Sequence, residues 1–97
     1  MPSISTHVLD GAGGGPVGGV EVEVADAAGK IVGTAITDHR GRAEELATGL
    51  PPGRYRVTWR LGGFVSELAA AVTLEEDRNY HLPVLASGHS AVVYLGV

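Results

Sequence analysis

Val20-Glu21-Val22-Glu23-Val24 alternates apolar and acidic residues without a break. Side chains of an extended strand point to opposite faces in turn, so this run folds with its valines on a core and its glutamates in water. A helix would scatter the same valines around its surface. Asp26-Ala27-Ala28-Gly29-Lys30 follows as a hairpin turn in which Gly29 supplies a positive φ, and residues 31–37 return as the partner strand. Residues 54–60 repeat the alternation, with Tyr55, Val57 and Trp59 on one face and Arg54, Arg56, Thr58 and Arg60 on the other. Pro51-Pro52-Gly53 and Gly62-Gly63 punctuate that strand at its two ends. Further strands are expected over residues 3–9, 68–74, 80–85 and 90–95, separated by glycine-rich and acidic turns. Residues 42–47 and 66–71 each allow a short helix, neither long enough to organise the fold. Roughly seven or eight short strands at this turn spacing describe an all-β sandwich.

The length of 97 residues suits a single domain, residues 1–97. With 44% apolar residues the chain has enough to build a core, yet no apolar run approaches the roughly 18–20 residues of a membrane-spanning helix. A net charge of −4 argues against a basic face for nucleic acid, so neither nucleic acid nor membrane is an expected partner. The absence of cysteine excludes thiol nucleophiles, disulfides and thiolate metal sites. Met1-Pro2-Ser3-Ile4 has neither a basic region nor a long apolar stretch, so no signal peptide is evident and a cytoplasmic protein is expected.

Four histidines draw the search for chemistry. His7 and His81 lie within strands, His39 in the polar loop Thr37-Asp38-His39-Arg40-Gly41-Arg42, and His89 after the turn Ser87-Gly88. A strand histidine commonly serves as a half-buried residue bonded to a backbone carbonyl, and a catalytic role competes with that one. No His-x-His or His-x₃-His spacing points to a metal, no serine elbow is present, and the glycine cluster does not lead from a strand into a helix. No cofactor is called for.

Thr6-His7-Val8-Leu9-Asp10, Pro16-Val17-Gly18-Gly19-Val20, Thr37-Asp38-His39-Arg40-Gly41-Arg42, Pro52-Gly53-Arg54-Tyr55-Arg56 and Tyr80-His81-Leu82-Pro83-Val84-Leu85 occur in an order that resembles the transthyretin-like 5-hydroxyisourate hydrolases of purine breakdown. The resemblance runs across nearly the whole chain. It implies a transthyretin-like sandwich of two four-stranded sheets, assembled as a homotetramer with sites at the interface between dimers. It also implies that His7, Arg42 and His81 line the site and act on a small-molecule substrate. That chemistry is reasonable in itself. An imidazole can take a proton from water near neutral pH, and a guanidinium can hold an anionic ureide and stabilise charge on a carbonyl oxygen. The second histidine would orient the first or protonate the departing nitrogen.

Three departures bear on function. The family's hydrolases end in Tyr-Arg-Gly-Ser, whereas this chain ends Tyr94-Leu95-Gly96-Val97, so Tyr94, Leu95 and Val97 are the expected substrate-binding residues of the tail. Exchanging a guanidinium and a hydroxyl for aliphatic groups would favour a more apolar ligand, and restoring both is expected to raise activity on hydroxyisourate. The segment between Trp59 and Glu67 is shorter than the family's, and the position before Gly41, commonly acidic, is Arg40. Two further functions therefore stand beside hydroxyisourate hydrolysis. One is a family member repurposed to another small molecule. The other is a non-catalytic carrier in the manner of transthyretin.

Overall fold

The computed structural model describes residues 1–63 and 65–96. Among them run eight strands: β1 (Ser3–Asp10), β2 (Glu21–Asp26), β3 (Ile31–Ile36), β4 (Arg42–Ala47), β5 (Gly53–Arg60), β6 (Glu67–Leu74), β7 (Asn79–Ala86) and β8 (Ala91–Val93). They form two four-stranded sheets, ordered β4-β1-β7-β8 and β3-β2-β5-β6. The protein is an all-β sandwich. Neighbours pair antiparallel except β1 with β7, which run parallel and set Ser5 opposite His81 and His7 opposite Pro83.

Alternation along the strands builds the core as expected. Val22, Val24, Val57 and Trp59 are buried from one sheet, facing Ile4, Val8, Leu82 and Val84 from the other. Trp59 is wholly buried, and its indole N–H donates to Thr6 Oγ1 at 3.0 Å. Thr6 in turn donates to the Leu82 carbonyl at 2.7 Å, so one threonine bonds a residue of the opposing sheet and one of its own. Outside, Arg60 pairs with Glu23 at 2.8 Å and with Glu67, an exposed cluster worth little in stability.

Two expectations are corrected. Residues 42–47 and 66–71 do not form helices: the first is β4 and most of the second belongs to β6. Arg42-Ala43-Glu44-Glu45-Leu46-Ala47 consists of good helix formers, but pairing with β1 outweighs that preference. Its register slips between Ile4↔Ala47 and Thr6↔Ala43, so β4 carries a bulge. The bulge leaves Glu44 and Glu45 both exposed and Leu46 and Ala47 both buried, which erases the alternation of a regular strand.

One flank of the sandwich is shut. A Cβ on Gly33 of β3 would lie 2.4 Å from the Leu46 carbonyl of β4, so the two edge strands touch backbone to backbone there. The opposite flank is open. Between β6 and β8 lies a cavity of about 330 Å³, lined by Ala70, Val72, Leu74, Leu82, Tyr94 and Leu95 among others.

Candidate active site on the outer face of the first sheet

Strand parity that buries Ile4, Thr6 and Val8 turns Ser3, Ser5, His7 and Leu9 outward. In β7 the same rule buries Tyr80, Leu82 and Val84 and turns Asn79 and His81 outward, with Leu85 exposed beyond them. His7 is paired directly with Arg42 of β4, so the two side chains stand as cross-strand neighbours, with Cβ atoms about 5 Å apart. His81 stands beside Ser5, one step diagonally from His7. His7, Arg42 and His81 thus share one face, although 74 positions separate the first from the last.

Hydrogen bonds hold both rings. His81 Nδ1 lies 2.8 Å from Ser5 Oγ. Asn79 donates from Nδ2 to the same Oγ at 2.9 Å, and Ser3 Oγ donates to Asn79 Oδ1 at 2.9 Å. His7 Nε2 lies 2.9 Å from the carbonyl oxygen of Arg40. That carbonyl is set by the loop before β4, where Asp38 Oδ1 accepts from the backbone N–H groups of Arg40 and Arg42 at 2.8 and 3.0 Å. Gly41 closes the loop at φ 75°, and any Cβ there would lie 2.3 Å from the Val8 carbonyl. His7 bonds the backbone carbonyl of Arg40, so this hydrogen bond does not depend on which side chain stands at position 40.

Electrostatics separate the groups. Burial lowers the pKa of His81 below the ordinary imidazole value, the positive neighbours Arg42 and His7 push the same way, and Glu44 opposes them. Backbone donors hold both flanking aspartates below the usual carboxylate range: Gly13 and Ala12 for Asp10, Arg42 and Arg40 for Asp38. Among the described residues no three His, Asp or Glu side chains converge as a metal-binding set.

Residues 94–96 of the tail run along β7. Tyr94 N–H donates to the Pro83 carbonyl at 3.2 Å and Gly96 N–H to the His81 carbonyl at 2.8 Å. Gly96 is the tail residue that meets His81: a Cβ on it would lie 3.1 Å from His81 Cδ2. Leu95 pairs across from Leu82, not His81, and with Tyr94 it lines the open flank of the sandwich. The structure therefore brings His7, Arg42 and His81 together and puts Tyr94 and Leu95 against a different cavity, while Val97 lies outside the described residues. Ser5 and Asn79 were not singled out from the sequence. Their parity with His7 and His81 was the available signal. Beyond the histidines the face turns apolar, with Leu85 exposed and Val92 of β8 paired beside it.

Comparison with known proteins agrees with the fold. The family described as HIUase/transthyretin matches residues 4–96. A 5-hydroxyisourate hydrolase of Pseudomonas aeruginosa is 29% identical over 118 aligned positions, covering 99% of this chain and 92% of the relative. That alignment is longer than the chain itself, so the relative carries insertions that this protein lacks. The structure of Klebsiella pneumoniae 5-hydroxyisourate hydrolase superposes with a TM-score of 0.91 at 28% identity, covering the whole of both chains. Sea bream transthyretin in complex with thyroxine superposes with a TM-score of 0.88 at 25% identity, over 98% of this chain and 95% of that one. The sandwich and the match along nearly its whole length have one meaning: the chain belongs to the HIUase/transthyretin family.

Proposed function

We propose that the protein hydrolyses 5-hydroxyisourate or a closely related small cyclic ureide or amide, as a cytoplasmic homotetramer working without a cofactor. One observation carries this reading: His7, Arg42 and His81 share a single outward face of one sheet. The similarity to two 5-hydroxyisourate hydrolases along the chain's full length supports it. In the reaction, water adds to a ring carbonyl while an imidazole takes its proton. The carbonyl oxygen gains negative charge, which the Arg42 guanidinium stabilises. The C–N bond then breaks and the nitrogen leaves with a proton returned from an imidazole. Depression of the His81 pKa suits this chemistry, because it keeps that ring neutral at physiological pH.

The decay of freshly generated hydroxyisourate, followed with the native chain and with His7→Ala and His81→Ala, tests the proposal. Each variant is expected to lose about 10²–10⁴-fold in kcat/KM, the span of general acid–base and electrostatic catalysis. Decay in the presence of native protein at the rate of buffer alone would remove the hydrolase reading.

A second reading draws on the apolar end of the face, where Leu85 and Val92 are 42% and 55% exposed. It assigns the protein to a flatter, less polar ligand, either as substrate or as cargo. Similarity to a transthyretin solved with thyroxine supports that choice. Saturable binding of an aromatic ligand, with no hydroxyisourate turnover, would favour it.

A further inference from the structure

We propose that Ser5, oriented by Asn79 and Ser3, is a positioning residue that places the proton of His81 on Nε2, so that His81 faces the site as a hydrogen-bond donor and His7 alone exchanges protons with water. The kinetic part of this assignment rests on the hydrolase reading; the protonation part does not.

The direction of the chain of hydrogen bonds decides the tautomer. Ser3 Oγ donates to Asn79 Oδ1, which turns the amide so that its Nδ2 donates to Ser5 Oγ. A serine hydroxyl has one proton and two lone pairs. Asn79 donates to this hydroxyl and cannot take its proton, so the Ser5 proton turns to the acceptor in contact with it, His81 Nδ1, 2.8 Å away. A neutral imidazole that accepts at Nδ1 carries its own proton on Nε2. The ring is also fixed in direction. Its Nδ1 side faces Ser5 on β1 and its Cδ2 side faces Gly96 of the tail, so the edge bearing Nε2 and Cε1 stands away from the sheet.

His7 is held the other way round. A carbonyl oxygen only accepts, so the contact with Arg40 places the His7 proton on Nε2 and leaves the lone pair on Nδ1. Both rings carry the same tautomer, but His81 directs its N–H outward while His7 directs its N–H into the backbone. The work then divides without a charged imidazolate ever forming. His7 Nδ1 takes the proton of the attacking water and returns it to the leaving nitrogen as the C–N bond breaks. His81 Nε2–H keeps its proton throughout and, with Arg42, hydrogen-bonds the carbonyl oxygen as its charge grows. The neutral state this requires is the one favoured by burial and by the positive neighbours.

Long-range ¹H–¹⁵N spectra of histidine-labelled protein at about pH 8, where an ordinary imidazole is neutral, read the tautomer directly. The native chain is expected to show His81 with its proton on Nε2. In Ser5→Ala that preference should be lost and kcat on hydroxyisourate should fall roughly tenfold with little change in KM, the equivalent of one hydrogen bond. Asn79→Asp is the sharper variant. A carboxylate can only accept, so the Ser5 proton turns toward it, and the His81 proton should move to Nδ1. Asn79 is exposed, so the fold should tolerate the change. A native His81 protonated on Nδ1, or a tautomer indifferent to both substitutions, would overturn the assignment whatever the activity. A native Nε2–H that responds as expected in a protein inert toward hydroxyisourate would support the assignment and remove only the substrate.

Discussion

A proton on His81 must reside in a half-buried ring already close to Arg42 and His7, and the folded chain resists it. The unfolded chain does not, because there the imidazole titrates near its ordinary value of 6.5. Lowering the pH from neutral therefore protonates the unfolded state first. The unfolded state binds more protons than the native one, so stability falls as pH falls. The contribution is fully present above about 6.5 and is lost as the pH drops through the depressed folded value. Denaturant unfolding followed by Trp59 fluorescence over this range should show the native chain losing more stability than His81→Gln. Equal slopes in the two proteins would mean that His81 is not the group resisting protonation. Asp10 and Asp38 have depressed values of the same sign but titrate in a lower window, below their ordinary 3.8. The His81 effect is thus separable from the acid loosening of the two loops that those aspartates hold.

At the scale of strands, Thr6 is the residue through which three elements communicate. Its hydroxyl accepts from Trp59 on β5 and donates to Leu82 on β7, while its own strand pairs with β4. Thr6→Val keeps the shape and strands a buried indole N–H. The expected cost is about 1–3 kcal/mol. Thermal unfolding should register it at roughly 4–8 °C per kcal/mol for a domain of this size, and an unchanged Tm would show that Trp59 finds another partner. The same strands show what was readable in advance. Period-two alternation in β2, β5 and β7 announces both the strand and its buried side, so Trp59, Val57 and the outward placement of His81 were legible. β4 was not, because its bulge removes the alternation and its residues favour helix. Pairing of β1 with β7 is parallel and spans 76 positions, so no local pattern could reveal that Ser5 meets His81. Residue-by-residue likeness to the family carried His7, Arg42 and His81. Where the tail lies against β7, with Gly96 opposite His81, depends on strand pairing and is not a local pattern.

The whole molecule is closed along one flank and open along the other, and the open flank argues for assembly. Where β3 meets β4, Gly33 lets the backbones touch and the core is sealed. Where β6 faces β8, both strands end their sheets, and the cavity between them is lined mainly by apolar side chains. Residues 68–74 carry no charge, so this edge lacks the lysines and prolines with which a solitary edge strand discourages pairing. Strand addition by a second copy would satisfy the free backbone groups of β6 and cover the cavity, and a two-fold axis would apply every contact twice. The outer face bearing the histidines is not used by that contact. Its apolar margin at Leu85 and Val92 remains for a second interface, which would make the assembly a tetramer with the site between dimers. Sedimentation of the native chain at micromolar concentration should therefore give four times the 9.9 kDa chain mass. Ala71, exposed near the middle of β6, tests the edge without touching the core. In Ala71→Lys the two-fold brings like charges together, and the tetramer should fall apart into smaller species that retain native Trp59 fluorescence. Hydroxyisourate turnover should then drop with it if the site needs the neighbouring copy. A variant that still sediments with the native mass would show that β6 is not a contact surface, and the edge-pairing argument would fail.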